Sequence, residues 1–141
     1  WDDPKTGLRC KARIDHNPGK NVLVDYKTIS DPAKFISQAV SLNYDIQGAW
    51  YSIGAEANDI QVDTFVFVAG GTSEPHPVRC GFMVPDWIEW AKGECSRLMG
   101  LVKECYERDH FPAYTIPAYI TSLSQLQPAD LLEQWDMPKW R

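Results

Sequence analysis

Two apolar runs separated by a Pro- and Gly-containing stretch, near the start of the chain, constrain the fold most. In residues 8–15 apolar and charged residues alternate, which is the period-two pattern of a half-buried strand. The sequence HNPGKN at 16–21 is a strong turn signal. VLVDYKT at 22–28 is rich in β-branched and aromatic residues, as strands are. These runs predict an antiparallel β-hairpin that turns near residues 19–21.

Helical and strand patterns alternate after the hairpin. Asp31 and Pro32 are typical of a helix N-cap and first helical position. The order β-β-α-α-β-β-α predicts an α/β fold in which a central mixed β-sheet is flanked by helices. The later predicted elements are helices at 31–43 and 44–58, strands at 61–71 and 77–85, and a long amphipathic helix at 86–107.

The end of the chain is predicted to be an irregular arm. Four prolines between residues 111 and 141 leave room only for a short helix at 128–135. Residues 1–110 are then the core of one domain, and 111–141 an arm of that same domain. The sequence has no 18-residue apolar run and no signal-peptide pattern at its start, which predicts a soluble, intracellular protein.

Charge and cysteine content exclude few classes of function. The net charge is −5, but residues 1–34 hold seven Lys or Arg against five Asp, so a local basic face remains compatible with phosphate binding. The four cysteines show no metal-ligand spacing, which argues against zinc and iron–sulfur sites and predicts buried reduced thiols. They are Cys10, Cys80, Cys95 and Cys105.

Two aspartates and a lysine of the hairpin are the candidate catalytic group. Residues two apart on a strand point the same way, so Asp25 and Lys27 share one face. A turn near residues 19–21 would set Asp15 opposite Asp25. Two close carboxylates repel each other unless a cation such as Mg²⁺ or Mn²⁺ lies between them. The simpler alternative is a solvated ion pair, because Asp-x-Lys is common at strand ends.

The second predicted helix adds two polar side chains. Gln47 and Tyr51 are four residues apart and therefore lie on one helical face. Taken alone, such a pair is usually a boundary between buried and exposed surfaces. After Asp15, Asp25 and Lys27, it extends a recognisable pattern.

This pattern resembles the PD-(D/E)xK nuclease superfamily, whose fold is restriction-endonuclease-like. RID at 13–15, VDYKT at 24–28 and QGAWY at 47–51 stand where the superfamily has its metal aspartate, its D/E-x-K and the Q-x-x-x-Y of the RecB-like branch. More narrowly, residues 8–55 resemble the nuclease domain of the RecE-type phage exonucleases, also called exonuclease VIII.

The resemblance implies a role for each motif residue. It makes the cofactor Mg²⁺, for which Mn²⁺ can substitute. It also implies a further His or Glu ligand on a helix upstream of the first strand; only seven residues precede Leu8, so the expectation is a core lacking that helix. The implied catalytic residues are Lys27, Asp15 and Asp25, and the implied metal ligands are Asp15, Asp25 and the Tyr26 carbonyl. The resemblance implies that Gln47 and Tyr51 contact either DNA or the lysine side of the pocket. Thr28, which directly follows Lys27, is a further candidate contact to DNA phosphate.

The implied activity is degradation of double-stranded DNA from 5′ to 3′ during recombination. The implied partners are duplex DNA ends, a single-strand annealing protein and further copies of the chain in a ring, with no membrane. The implied location is the cytoplasm of a bacterial or phage-infected cell. Two alternatives stay open: a non-catalytic DNA-binding or assembly module on a nuclease fold, and a sequence-specific endonuclease.

Overall fold

The computed structural model describes residues 1–112, whose strands and helices follow the predicted order. Residues Trp1–Asp109 form one compact unit, and a second unit begins at His110. Beyond residue 112, the predicted arm and its short helix lie outside the described residues. The elements are β1 (His16–Gly19), β2 (Val22–Ile29), α1 (Phe35–Ser41), α2 (Tyr44–Glu56), β3 (Thr64–Gly71), β4 (Val78–Met83) and α3 (Pro85–Glu107).

The four strands form one mixed sheet in the order β1-β2-β3-β4. β2 and β3 are parallel, and the other neighbouring pairs are antiparallel. A parallel pair needs a long crossover connection. Here a 3-10 turn at Pro32–Lys34, α1 and α2 supply it, and the Asp31 side chain caps the turn at Ala33 N, 3.0 Å away. The predicted α/β fold with a mixed sheet and helices is confirmed.

Helix α2 packs closely against the buried face of the sheet. A Cβ atom at Gly48 would lie 2.5 Å from Met83 Sδ and 3.3 Å from the Phe65 ring, so a larger residue would have to displace the Met83 side chain. Leu23 and Phe65 are both fully buried beneath it. Helix α3 joins the same core through Ile88, Ala91 and Cys95. No helix within residues 1–112 is long and apolar enough to cross a membrane.

The first predicted strand is wrong in position. β1 is His16–Gly19, which was expected to be turn, whereas residues 8–14 form no strand apart from a single bridge between Asp2 and Arg9. Alternation shows only that one side of a segment is buried, not what buries it. Here α2 covers that side: the Trp50 indole N–H donates to the Lys11 carbonyl at 3.1 Å.

The hairpin itself is antiparallel, as predicted, with a two-residue turn. Lys20 and Asn21 have φ values of 56° and 59°, the left-handed conformation that such tight turns require. His16 pairs with Val24, so one further step sets Asp15 beside Asp25. A register irregularity lies between His16 and Gly19. The observed register thus places Asp15 next to Asp25, as predicted.

The cysteine prediction is half wrong. Cys10 and Cys95 are buried thiols, and burial raises the pKa of Cys95 to about 11. Cys80 is exposed, because the alternation of β4 puts it on the sheet face opposite the buried Met83. Cys105 is half-buried near the end of α3. All four are free thiols.

Candidate active site

Asp25, Lys27 and Gln47 form a closed triangle between β2 and α2. The Lys27 ammonium contacts Oδ2 of Asp25 and donates a hydrogen bond to Oε1 of Gln47 at 2.8 Å. The Gln47 amide in turn donates to Oδ1 of Asp25 at 2.9 Å. The strand alternation predicted for Asp25 and Lys27 is observed, since both side chains point to the helix-covered face. The amide therefore fixes the relative positions of the two charged groups.

Asp15 brings a second carboxylate to this group from the residue just before β1. Its Oδ2 accepts a hydrogen bond from the Tyr26 backbone N–H at 2.9 Å. In an extended strand the N–H and C=O of one residue point to the same side. The Tyr26 carbonyl therefore faces the side of β2 on which Asp15 lies. The hairpin thus brings the Asp15 carboxylate to Tyr26, the residue next to Asp25.

Burial makes the ionised form of Asp25 costly. Only 2% of Asp25 is exposed, and this burial raises the pKa of its carboxyl above the ordinary value of 3.8. The Lys27 ammonium opposes the shift, while the negative charge of Asp15 adds to it. A carboxylate in this state gains from any further cation that reaches it.

A pair of aromatic rings lies beneath the lysine. The Lys27 ammonium is 4.7 Å from the Tyr44 ring centroid and 5.9 Å from that of Phe67. The two rings stack with their centroids 5.6 Å apart. The sequence reasoning missed both residues. Tyr44 could have been found, because it lies three residues before Gln47 and therefore on the same face of α2.

Replacing Tyr44 with Leu is expected to remove the ring contact of the Lys27 ammonium, while Asp25 and Gln47 still hold the side chain. The change removes a cation–π contact worth about 0.5–2 kcal/mol and a ring pair worth about 0.5–1.5 kcal/mol. The Tyr44→Phe variant keeps both rings and is the matched control. NMR should show the Lys27 ε-methylene protons shifted by the ring in wild type and Tyr44→Phe, and moved toward solvent values in Tyr44→Leu. An unchanged shift in Tyr44→Leu would contradict this contact.

The oxygens of this site fit a hard divalent cation. Oδ2 of Asp25 is buried and, apart from the Lys27 ammonium, receives no hydrogen bond from the described residues. One or two carboxylates and several waters are a common Mg²⁺ environment. Within residues 1–112, however, no group of three or more His, Cys, Asp or Glu side chains is placed to hold a metal ion. The oxygens of this group that a cation could contact are those of Asp15, Asp25 and the Tyr26 carbonyl.

The other predicted contact residues lie away from this triangle. Thr28 is exposed and, by strand alternation, on the opposite face of β2 from Lys27. Tyr51 lies one helical turn beyond Gln47, where its ring packs 6.2 Å from that of Phe65. The Tyr26 side chain is 57% exposed, so only its backbone takes part in the site.

Asp2 and Asp3 hold the N-terminal segment in place. The Thr6 hydroxyl and backbone N–H donate hydrogen bonds to Oδ2 of Asp3 at 2.6 and 2.8 Å. These hydrogen bonds stabilise the ionised carboxylate and lower the pKa of Asp3. Asp2 forms an exposed ion pair with Arg9 at 3.5 Å. Both carboxylates thus have local structural partners.

The mixed sheet, with Asp-x-Lys on one inner strand and an aspartate ahead of its hairpin, defines a nuclease-fold module of the PD-(D/E)xK superfamily. A family profile described as "PDDEXK-like domain of unknown function (DUF3799)" matches residues 1–119. Because the match covers most of the chain, this protein belongs to that family. No curated protein matches the sequence significantly.

Proposed function

We propose that this chain is a Mg²⁺-dependent deoxyribonuclease that hydrolyses phosphodiester bonds. The observation that supports it is the triangle of Asp25, Lys27 and Gln47, with the Asp15 carboxylate held beside it at 2.9 Å from the Tyr26 N–H. A buried acid, a second acid and a fixed ammonium are the parts that metal-assisted phosphoryl hydrolysis needs. The alternative, a solvated surface ion pair, does not account for a carboxylate as buried as that of Asp25.

Each residue of the triangle has a separate task in the proposed reaction. Asp15 and Asp25 hold the cation, which supplies Lewis-acid polarisation of the phosphate and a water of lowered pKa. The Lys27 ammonium positions the attacking water and neutralises charge that develops on the phosphate. Gln47 keeps Lys27 and Asp25 in register, so the ammonium does not have to be ordered during the reaction.

The resemblance to RecE-type exonucleases supports a narrower proposal. The substrate would then be a duplex DNA end, degraded from 5′ to 3′ by a ring of copies that passes the remaining strand to a single-strand annealing protein in recombination. The cytoplasm of a bacterial or phage-infected cell would be the setting. The support for these points is the density of motifs in residues 8–55, in which RID, VDYKT and QGAWY occur in the family order.

Cleavage of linear and circular duplex DNA tests the proposal. With Mg²⁺ or Mn²⁺, a linear duplex should be degraded, a 5′-terminal label should be released before a 3′-terminal one, and a chelator should stop the reaction. A covalently closed circle should persist. If the circle were cut as readily as the linear duplex, the activity would be that of an endonuclease and not of an exonuclease. Intact linear DNA with either metal would contradict the nuclease proposal as a whole.

One observation favours a second candidate, a non-catalytic DNA-binding or assembly module. The part of the chain that the structure describes offers the two carboxylates but no third acidic, His or Cys side chain for a metal. Calorimetric titration with Mn²⁺ separates the two candidates. Binding that depends on Asp25 supports the enzyme, and absence of binding supports the module.

A further inference from the structure

The segment that leads to Asp15 presents a row of positive charge. Arg9, Lys11 and Arg13 are all exposed, whereas Leu8 and Ile14 are half-buried and Cys10 is 8% exposed. Ala12 is exposed as well, so the alternation is not strict, but the three cations and Asp15 are all exposed within seven residues of chain. Two residues of a fully extended chain span about 6.5 Å, which is the upper limit for the backbone spacing of neighbouring cations in the row and is close to the spacing of successive phosphates of a nucleic-acid strand.

The backbone of this row is fixed, although it is not part of the sheet. The Trp50 indole N–H holds the Lys11 carbonyl at 3.1 Å, and the Cys10 N–H donates to the Trp1 carbonyl at 2.8 Å. A Cβ atom at Gly54 would lie 3.2 Å from the Ala12 Cβ, so the segment rests directly on α2. A fixed backbone adds little to the entropy cost of binding, which is then mainly that of ordering the three side chains.

The charges of the row are largely available. Across residues 1–112, the Lys11 and Arg13 side chains have no ion-pair or hydrogen-bond partner, in contrast to Lys92, which two glutamates hold. The Arg9 guanidinium is 90% exposed and pairs with Asp2 only at 3.5 Å. An exposed, 3.5 Å ion pair contributes little and exchanges readily for a phosphate.

We propose that Arg9, Lys11 and Arg13 form a phosphate-binding row that holds the sugar–phosphate backbone of duplex DNA next to the site at Asp15. This inference rests on the proposed nuclease function and adds to it the surface on which the substrate lies. The contacts are to phosphates, so binding is independent of base sequence and depends on salt. The row offsets the net charge of −5, which would otherwise repel DNA.

Binding measurements in Ca²⁺, which is used in place of Mg²⁺ to limit cleavage, test the row. Fluorescence anisotropy of a labelled 20-base-pair duplex would be recorded against salt for wild type and for the double variant Lys11→Gln/Arg13→Gln. Loss of two phosphate contacts should lower the slope of log K against log salt by about 1.8. The affinity should fall equally for two duplexes of unrelated sequence.

A matched control carries the same change of charge elsewhere. Lys103→Gln/Arg108→Gln removes two cations from the end of α3, where they form i, i+4 pairs with Glu107 and Glu104. This control should keep the wild-type slope. The proposed phosphate-binding row would be refuted if the slope were unchanged in the Lys11/Arg13 variant or fell equally in the control. It would also be refuted if wild type did not bind DNA.

Cleavage by wild type in Mg²⁺, measured on the same preparations, keeps this inference distinct from the proposed function. DNA binding that needs Lys11 and Arg13 but leads to no cleavage would refute the nuclease and leave the row standing. Cleavage by wild type together with an unchanged salt slope in Lys11→Gln/Arg13→Gln would refute the row and leave the nuclease standing. Thermal unfolding of both double variants should match wild type, because all four side chains are exposed or half-exposed.

Discussion

An Asp25→Asn protein is expected to lose Mn²⁺ binding and at least about three orders of magnitude in DNA cleavage rate. The change removes one of two carboxylates, and the metal's stabilisation of the transition state is worth several kcal/mol, with each tenfold in rate equal to about 1.4 kcal/mol. Calorimetry measures binding, and release of labelled nucleotides measures cleavage. Mn²⁺ should raise the unfolding temperature of wild type but not that of Asp25→Asn, since a ligand stabilises the state that binds it.

Asp59→Asn is the matched control for this substitution. Asp59 is exposed and has a φ of 60°, a conformation that Asn tolerates well, so the variant makes the same chemical change away from the site. It should bind Mn²⁺ and cleave DNA as wild type does. Retained metal binding in Asp25→Asn would show that the carboxylates of this site do not hold the cation.

The raised pKa of Asp25 should make the free energy of unfolding of the metal-free protein depend on pH. Because the pKa of this carboxyl is higher in the folded than in the unfolded state, its protonation favours folding. The free energy of unfolding of wild type relative to Asp25→Asn should therefore rise as pH falls through the folded-state pKa, and level off below the unfolded value of about 3.8. Urea unfolding in a chelator between pH 7 and pH 3 measures this difference. A difference that shrinks on acidification would contradict it.

Lys27→Met should separate metal binding from catalysis. The thioether side chain keeps most of the apolar stem but has no ammonium, so the cleavage rate should fall by about two to four orders of magnitude, as when a catalytic donor is removed. The Mn²⁺ affinity should not fall, because Lys27 contributes no oxygen ligand to the cation. Cleavage near the wild-type rate would exclude Lys27 from the reaction.

The same variant carries a stability penalty that must be measured with it. Removing one partner of a buried ion pair costs about 3–5 kcal/mol, and Asp25 would be left with Gln47 and no positive charge. Mn²⁺ should restore part of this loss, because it supplies the missing charge. Lys34→Met, at a weak exposed pair of 3.9 Å with Asp31, is the control and should change neither rate nor stability.

The sequence predicted most of the fold because its longer elements carry clear periods. β2, β3, β4, α2 and α3 all lie where alternation or helical spacing placed them. Residues 8–14 were misassigned, since alternation gives the same signal whether a strand ladder or a helix covers the apolar side. The apolar side of this segment packs on α2 through Trp50 and Gly54, which lie about forty residues further along the chain and are not part of the local pattern.

The sequence placed the motif residues near one another but did not distinguish the contacts of Gln47 from those of Tyr51. Helical spacing put Gln47 and Tyr51 on one face, yet four residues advance a helix by about 6 Å. Only Gln47 therefore reaches Asp25 and Lys27, while Tyr51 packs against Phe65. Thr28 follows Lys27 in sequence, and the pleat of the strand sends it to the other face.

The charges of the site also set an order of binding under the proposed function. Asp15, Asp25 and Lys27 sum to −1, so the metal-free site repels a phosphodiester at close range. One divalent cation reverses the sign to +1, and the same groups then attract the substrate. Metal and DNA should consequently bind with positive cooperativity, and by reciprocity DNA should raise the affinity for the metal by the same factor. A protein of this kind can remain inactive on DNA until the divalent cation arrives.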